Sequence, residues 1–364
     1  MEYVQERVTT LHDLADPVPD APVDRAAVVV PMTEREHATL AADHVLSTLE
    51  RVAPAHVVVA LRSDPDRVAD VADWLTGYDL PLETLWCDGP RLTETLADAG
   101  LNGDRGKGRD VWLALGAAAA AADLVAVHDA DARSYSAAHV PRLLFPLRRD
   151  YRFAKGYYAR VEDGHLYGRL FRLFVAPLLR ALADANDAPV LSYLDAFRYA
   201  LAGEFAATAE VVRRLRPPRG WGLEVATLGD AFRTAGFADS AQVDLGIHRH
   251  DHRSVAGPSG LSDMADQVGA ALFAVVEDHG VDPGYDTLPD RYREAADRLV
   301  RQYAADAAFN GFDYDPAAER EQVAAYADAV APGEARRLPA WVDAPISPAD
   351  VRAAAAADLE AART

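Results

Sequence analysis

The chain has 364 residues, half of them hydrophobic, which is enough for one large α/β domain with an added segment or for two domains. Its 57 acidic and 37 basic residues give a formal net charge of −20, which repels nucleic acid and anionic lipid and indicates a halophilic, salt-adapted protein. The N-terminus does not resemble a signal peptide, and the apolar runs are too short to span a membrane. Cys87 is the single cysteine, so no internal disulfide can form. These features predict a cytoplasmic protein.

Short apolar segments alternate with longer amphipathic ones from residue 26 onward. Strands are predicted at 26–31, 56–63, 82–88 and 123–129, with helices between them at 33–52, 64–78 and 108–122. Thr33 and Glu36 have the spacing of a helix capping box. Because the strands are almost entirely apolar, the pattern predicts a mostly parallel sheet covered on both faces, with its ligand site at the carboxyl ends of the strands.

The second half of the chain is less regular. Strands are predicted at 150–160 and 240–247, with helices at 166–186 (kinked or split by Pro177), 203–216 and 222–236. From residue 259 the pattern is helical, with one apolar face formed by Leu261, Met264, Val268, Leu272 and Val275. Further amphipathic helices follow residue 284, and residues 332–348 are predicted to be a surface linker.

Asp129-Ala130-Asp131 is the strongest local motif, because it directly follows an apolar strand. Two carboxylates separated by one small residue can hold Mg²⁺ or Mn²⁺, and a diphosphate can complete the oxygen shell of the ion. The motif by itself also suits a solvated turn.

Lysine is rare in this chain: only Lys107 and Lys155 occur, and every other basic residue is an arginine. Lys107 lies between Gly106 and Gly108 before a helix, where glycines allow close backbone approach and an ammonium group can contact a phosphate. The spacing is not that of a P-loop, which argues against a nucleoside triphosphatase. A flexible loop with a solvated lysine remains the alternative for Lys107, as chance does for Lys155.

Two further motifs lie in the second half. His248, His250 and His252 alternate in an extended segment, and imidazole is a good ligand for a borderline divalent metal; an exposed polar loop is the alternative. Gly220-Trp221-Gly222-Leu223-Glu224 places a carboxylate at a helix start beside a ring that can stack on a sugar, although a glutamate there is also ordinary helix chemistry.

The order of these motifs resembles the family of retaining GT-A glycosyltransferases that make glucosyl-3-phosphoglycerate and mannosyl-3-phosphoglycerate. The resemblance covers residues 26–276 and rests on eight segments: VVVP (28–31), GKG (106–108), DAD (129–131), KGYYAR (155–160), APLL (176–179), GEFAAT (203–208), GWGLEV (220–225) and AQVDLGIHRH (241–250). It implies a GT-A fold divided into an N-terminal extension (1–24), a catalytic domain (25–256, with a nucleotide-sugar half at 25–131 and an acceptor half at 132–256) and a helical C-terminal segment (257–364).

The resemblance also implies residue roles. Asp131, within a DXD motif, and His250 would bind Mg²⁺ or Mn²⁺, and Asp131, Lys107 and Glu224 would be catalytic. The nucleotide-sugar, with UDP-glucose or GDP-mannose as the donor, would contact Pro31, Met32, Glu34 (or Glu36), Ser63, Lys107, Asp129, Ala130, Asp131 and Glu224. A small acidic acceptor would contact Gly168, Arg169, Phe171, Trp221 and His252.

Three segments depart from the family pattern. Phe171 stands where the family has a small hydroxyl residue, His252 stands where it has an amide, and residues 62–66 stand where it has a Ser-Gly-Ser-Thr-like turn.

The resemblance as a whole predicts the transfer of a hexose, most simply glucose, to 3-phosphoglycerate or a similar acid such as glycerate, for compatible-solute synthesis. The alternatives are a GDP-mannose enzyme, a catalytically silent nucleotide-binding domain and a nucleotidyltransferase. Analogy alone favours a homodimer.

Overall fold

The computed structural model describes residues 5–249 and 258–364. The strands are β1 (Thr9–Leu11), β2 (Ala26–Thr33), β3 (His56–Arg62), β4 (Leu82–Trp86), β5 (Leu124–Val127), β6 (Phe153–Ala159), β7 (Val161–Glu162), β8 (His165–Leu166), β9 (Phe205–Thr208) and β10 (Ser240–Ile247). The helices are α1 (Leu40–Val52), α2 (Val68–Leu75), α3 (Pro90–Asp98), α4 (Lys107–Ala121), α5 (His139–Arg148), α6 (Ala176–Ala183), α7 (Pro189–Asp195), α8 (Ala209–Val212), α9 (Leu223–Thr234), α10 (Pro258–Glu277), α11 (Leu288–Asn310), α12 (Pro316–Tyr326) and α13 (Pro348–Ala362).

One mixed sheet organises this part of the chain, in the order β1-β10-β6-β9-β5-β2-β3-β4. Every neighbouring pair is parallel except the two that involve β9, which runs antiparallel to both β5 and β6. Strand β2 contributes Ala27 and Val29 to the core on one face and Val28 and Val30 to the core on the other. The predicted parallel sheet with helices on both faces is therefore confirmed.

The helix boundaries show where local signals act. The capping box of Thr33 and Glu36 is present, but it caps a single 3₁₀ turn at Glu34–Glu36. Helix α1 begins later, where the hydroxyl of Thr39 accepts from the backbone N–H of Ala42. A π-helical turn at Phe171–Val175 runs directly into α6, which has Pro177 in its first turn. The irregularity predicted around Pro177 is confirmed, since a proline there has no N–H to continue the ladder.

The prediction of a helix throughout 203–216 is wrong for its first part. Phe205–Thr208 forms β9, which fills the position between β5 and β6 at the centre of the sheet. Alanine favours helices, but pairing on both sides and full burial of Ala206 and Ala207 override that preference. Thr208 then caps α8 by accepting from the N–H of Val211.

Both ends of the chain pack on the sheet domain. Strand β1, from the predicted N-terminal extension, pairs with β10 at one sheet edge. In α13, the carboxylate of Asp358 accepts from the backbone N–H groups of Arg91 (3.1 Å) and Leu92 (3.0 Å), so it caps α3, whose N-cap residue Gly89 has no side chain for this purpose. The division at residues 24 and 256 stays a prediction, with contacts crossing both boundaries.

The segment predicted to be a surface linker is anchored in the core. The ring of Trp341 stacks on Trp112 with centroids 4.1 Å apart, and the two indoles donate to the carbonyl oxygens of Trp112 and Pro339. Trp341 also lies where any side chain at Gly116 would be. The surface prediction is wrong at Trp341, because burying two large rings favours a fixed path. Among the described helices, none has the length and apolar character that a membrane span requires.

Candidate active site

Three distant segments meet beyond the carboxyl ends of the central strands. Lys107 begins α4, Asp129 follows β5 and Glu224 lies in the first turn of α9. The ammonium group of Lys107 is 2.7 Å from one carboxylate oxygen of Asp129 and donates to the other at 2.9 Å. It is also 3.8 Å from a carboxylate oxygen of Glu224. The DAD, GKG and GWGLE motifs are therefore parts of one cluster.

The glycines around Lys107 bring two backbones together. A Cβ atom at Gly108 would lie 1.9 Å from the carbonyl oxygen of Pro218, and one at Gly106 would lie 2.5 Å from that of Arg219. The backbone N–H of Arg109 donates to Arg219 at 2.9 Å. The close approach expected of these glycines is thus to residues 218–220 of the chain itself. Only glycine permits this close contact between the two backbones, and the contact places Lys107 near Glu224.

The cluster keeps Lys107 charged. Burial by itself would lower the pKa of Lys107, but the carboxylates of Asp129 and Glu224 outweigh it, and the pKa lies above the ordinary value. The ammonium group is therefore available as a permanent cation to an anionic ligand.

Lys155 lies below this cluster and is completely buried on β6. Its ammonium group donates to the carbonyl oxygen of Ala202 at 2.6 Å. Burial lowers the pKa of Lys155 to about 8, although the carboxylates of Glu224 and Glu204 act in the opposite direction. Both lysines of the chain are therefore in the same region, and neither is a solvated surface residue.

The turn that contains Gly203 and Glu204 was not among the predicted site residues. A Cβ atom at Gly203 would lie 2.7 Å from a carboxylate oxygen of Asp129, so a side chain there would displace that carboxylate. Glu204 is buried, with one oxygen 4.0 Å from the ring nitrogen of His248. The only sequence signal was the GEFAAT segment, whose composition does not reveal what lies opposite.

The predicted nucleotide contacts lie at the ends of two adjacent strands. Pro31 and Met32 of β2 pair with Ala60 and Leu61 of β3. Beyond them, the carboxylate of Glu34 accepts from the hydroxyl of Ser63 (3.2 Å) and from the backbone N–H of Asp64 (2.8 Å). The structure thus brings Pro31, Met32, Glu34 and Ser63 together at one edge of the sheet.

The unusual turn at 62–66 has a structural partner. Arg62 donates through two nitrogens to one oxygen of Asp110, at 2.8 and 2.6 Å. Arg109 donates to the other oxygen of Asp110 and to Asp88. This buried network ties the end of β3 to the first turn of α4, which begins with Lys107.

Ala130 is buried, and Asp131 is close enough for its charge to contribute to raising the pKa values of Lys107 and Arg160. The loop that follows is joined to the end of β10. The N–H of Arg133 donates to the carbonyl of Arg249 at 2.8 Å, and the N–H of Arg249 donates to the hydroxyl of Ser134 at 3.0 Å. His250 and His252 lie outside the described residues.

The predicted acceptor residues Gly168, Arg169 and Phe171 follow the β7–β8 hairpin. Gly168 has a φ of +78°, and a side chain there would meet the hydroxyl of Tyr199. Phe171 contacts the ring of Tyr199 edge-on, with centroids 5.0 Å apart. Trp221 lies elsewhere, on the loop before α9. Its ring is exposed, and its backbone N–H donates to the side-chain oxygen of Gln267.

A row of rings connects the acceptor loop to the histidine segment. Tyr199, which contacts Phe171, lies 5.1 Å from the ring of Tyr158, and Tyr158 stacks on His248 at 4.1 Å. Phe171, which departs from the family pattern, is thus part of a packed aromatic row. Tyr158 lies in the KGYYAR segment of the resemblance, but neither it nor Tyr199 was among the predicted site residues.

The donor atoms in this cleft fit a divalent cation. No group of three or more potential ligands is present within residues 5–249 and 258–364. The predicted set, however, includes His250, which lies outside the described residues, and the bonds of Arg249 to Arg133 and Ser134 join the end of β10 to the loop that follows Asp131. Carboxylate oxygens suit Mg²⁺ and Mn²⁺. The assignment of the ion to Asp131 and His250 stays a prediction.

No protein-family model matches the chain, but it is similar to several curated proteins and solved structures. It is 34% identical over 341 residues to a glucosyl-3-phosphoglycerate synthase of Methanococcoides burtonii, covering 86% of this chain and 84% of the relative. The Mycobacterium tuberculosis glucosyl-3-phosphoglycerate synthase in complex with Mn²⁺, UDP and glucosyl-3-phosphoglycerate is 25% identical (TM-score 0.54, 71% of this chain and 81% of that one). Its complex with Mg²⁺ and UDP gives 25% identity and a TM-score of 0.56, over 76% and 88% of the two chains.

The sheet order and the helices around it match those of glycosyltransferases of the GT-A class, and this chain is a glycosyltransferase of that fold. Its identity to the Methanococcoides burtonii relative extends over most of both proteins. The chain therefore belongs to the glucosyl-3-phosphoglycerate synthase family.

Proposed function

We propose that this protein transfers glucose from UDP-glucose to the hydroxyl group of 3-phosphoglycerate, with retention of configuration at the anomeric carbon. The convergence of Lys107, Asp129 and Glu224 at the strand ends carries the proposal. The names of the relatives and the ligands in the related structures support the donor and the acceptor. Synthesis of a compatible solute agrees with the acidic composition.

Asp131 and His250 would hold the divalent ion, with Asp129 beside them. When bound, Mg²⁺ or Mn²⁺ neutralises negative charge on the departing diphosphate. The role of His250 is proposed from the resemblance and from the hydrogen bonds that join Arg249, the preceding residue, to the loop after Asp131.

Lys107 would bind a diphosphate oxygen, since its ammonium group stays charged and is held in place by Asp129. Glu224 would accept hydrogen bonds from hydroxyl groups of the glucose. With these contacts fixed before the reaction, the developing charge meets a cation that does not have to reorganise. Trp221, exposed beside Glu224 in the sequence, offers a ring face for stacking on a sugar.

Arg169 would bind the phosphate of the acceptor through its guanidinium group, which suits phosphate oxygens. The acceptor hydroxyl would attack the anomeric carbon from the face that the diphosphate leaves. Its proton would pass to the leaving phosphate oxygen, so that no protein nucleophile is needed. Gly168, Phe171 and His252 complete the proposed acceptor set.

A grid of donors and acceptors with mass detection tests the proposal. UDP-glucose, GDP-mannose and glucose 1-phosphate with nucleoside triphosphate are each combined with 3-phosphoglycerate and with glycerate, in the presence of Mg²⁺ or Mn²⁺. We expect glucosyl-3-phosphoglycerate from UDP-glucose, and no product from the Asp131→Ala variant. The proposal would be contradicted if product formed only with GDP-mannose, if product formed only with glucose 1-phosphate and nucleoside triphosphate, or if no donor gave any product.

A further inference from the structure

A carboxylate of the C-terminal helical segment lies directly behind the proposed acceptor loop. We infer that Glu319 of α12 is a positioning residue that orients Arg169 for the phosphate of the acceptor. The inference rests on the proposed function and assigns a role to a segment for which the sequence suggested none.

Glu319 is shared by two arginines. One of its oxygens accepts from Nε of Arg169 at 3.0 Å, and the other accepts from Nη1 of Arg172 at 2.9 Å. Glu319 is only 3% exposed, so both hydrogen bonds are shielded from water at the carboxylate. A buried carboxylate that bonds two guanidinium groups fixes the distance and the direction between them.

The two arginines differ in what remains available. Arg172 is buried and makes two further bonds, to the carbonyl oxygens of Tyr167 and Leu166. Arg169 is half exposed, and its two terminal nitrogens make no hydrogen bond to any described residue. Arg172 therefore anchors Glu319, and Arg169 presents free donors.

The charges of this group favour an anionic ligand. Two guanidinium groups face one carboxylate, which leaves one positive charge that Glu319 does not neutralise. Donors fixed in advance lose less side-chain entropy when they bind phosphate.

The C-terminal segment holds the loop at a second place. The backbone N–H of Asp313, between α11 and α12, donates to the carbonyl of Gly164 in the turn of the β7–β8 hairpin at 2.9 Å. The guanidinium group of Arg172 also lies over the ring of Tyr303 in α11, 4.9 Å from its centroid. Residues 161–172 are thus supported by two helices of the segment.

The test is calorimetric binding of 3-phosphoglycerate, and separately of UDP with Mn²⁺, to the full-length protein and its Glu319→Gln variant. The glutamine offers one oxygen, which the buried Arg172 should retain because leaving it unpaired is costly. Arg169 then loses its partner. We expect the Kd of 3-phosphoglycerate to rise about five- to ten-fold, because a guanidinium group that is no longer held must be ordered when it binds the phosphate, while the Kd of UDP changes less than about two-fold.

Glu321→Gln is the matched control, because Glu321 lies exposed on the same helix; it should leave both dissociation constants unchanged. In an Arg169→Gln background, Glu319→Gln should add no further loss for 3-phosphoglycerate, since Glu319 acts through Arg169. Glu319→Asp, which keeps the charge, provides a milder variant if the glutamine variant does not fold. It should weaken the binding of 3-phosphoglycerate and leave the binding of UDP unchanged.

The inference would be overturned if the binding of UDP and of 3-phosphoglycerate weakened equally, or if the Kd of 3-phosphoglycerate did not change in either Glu319 variant. Either result would leave the proposed function intact. A further loss in the Arg169→Gln background would likewise overturn the inference alone. Failure of the wild-type protein to bind 3-phosphoglycerate would overturn the proposed acceptor together with this inference.

Discussion

The donor side and the acceptor side of the proposed site are held in place by different means. On the donor side, strand ends and helix starts within a regular sheet bring Lys107, Asp129 and Glu224 into direct contact. On the acceptor side, Gly168, Arg169 and Phe171 lie in a loop supported by Tyr199 and by a carboxylate from α12. A parallel sheet therefore accounts for the position of the donor residues, whereas the acceptor residues depend on an added helical segment.

The departures from the family pattern occur on both sides, and each has a neighbour in the structure. Phe171 lies on the acceptor side, and the structure gives it a neighbour in Tyr199. The altered turn at 62–66 is on the donor side, where Arg62 is bound to Asp110 in α4. A departure on the donor side is thus offset within the sheet domain itself.

Among replacements of Lys107, Lys155 and Asp358, that of Lys107 has the largest expected effect and tests whether the donor side forms one unit. In Lys107→Met, turnover should fall about 100- to 1,000-fold, because one preorganised cation at the developing charge is lost. The KM for 3-phosphoglycerate should stay nearly unchanged. Steady-state kinetics with each substrate varied measures both.

Lys107→Arg provides the charge-matched control for that experiment. It should recover only part of the turnover, since a planar guanidinium cannot occupy the place of a compact ammonium between Asp129 and Glu224. Turnover of Lys107→Met within about ten-fold of wild type would mean that this lysine is not part of the catalytic group.

Lys155 tests whether the buried charge below the donor side costs stability. Its pKa is lowered from the ordinary 10.5 to about 8 by burial, so the unfolded chain binds more protons between these two values. The free energy of unfolding therefore rises with pH across this window, and the cost of the buried charge is fully present below about pH 8.

Compared with Lys155→Met, the wild-type protein should gain about 2 to 3 kcal/mol of stability between about pH 8 and pH 10. Denaturant unfolding of both proteins at several pH values provides the measurement. Using the difference between them removes the contributions of other groups that titrate in this range. A difference that does not change with pH would show that burial does not lower the pKa of Lys155.

Asp358 gives the smallest expected effect and tests whether the C-terminal segment also supports the donor side. Asp358→Ala removes the cap of α3 and should lower the free energy of unfolding by about 1 kcal/mol, with turnover unchanged. Asp358→Asn keeps an acceptor oxygen and should lose less. Equal stability of the alanine variant and wild type, measured by denaturant unfolding, would show that this contact contributes nothing.

Sequence patterns identified the parts of the fold that local chemistry controls. The buried strands β2, β3 and β5 are continuous apolar runs, and a proline marked the irregular start of α6. Strand β9 was missed because four residues with two alanines carry little signal, and only pairing on both sides decides their state. Trp341 was placed on the surface because its partner, Trp112, lies more than 200 residues away in the chain.

For the site, the sequence determined which chemical groups are present and at the end of which strand or the start of which helix each one lies. A pair of aspartates after an apolar strand and a lysine at a helix start follow from local order along the chain. Only the tertiary structure decided that Lys107 contacts Asp129 and that Arg169 contacts Glu319. The physical reason is that an ion pair depends on a distance of a few ångströms, which chain order does not specify when the partners are far apart in sequence.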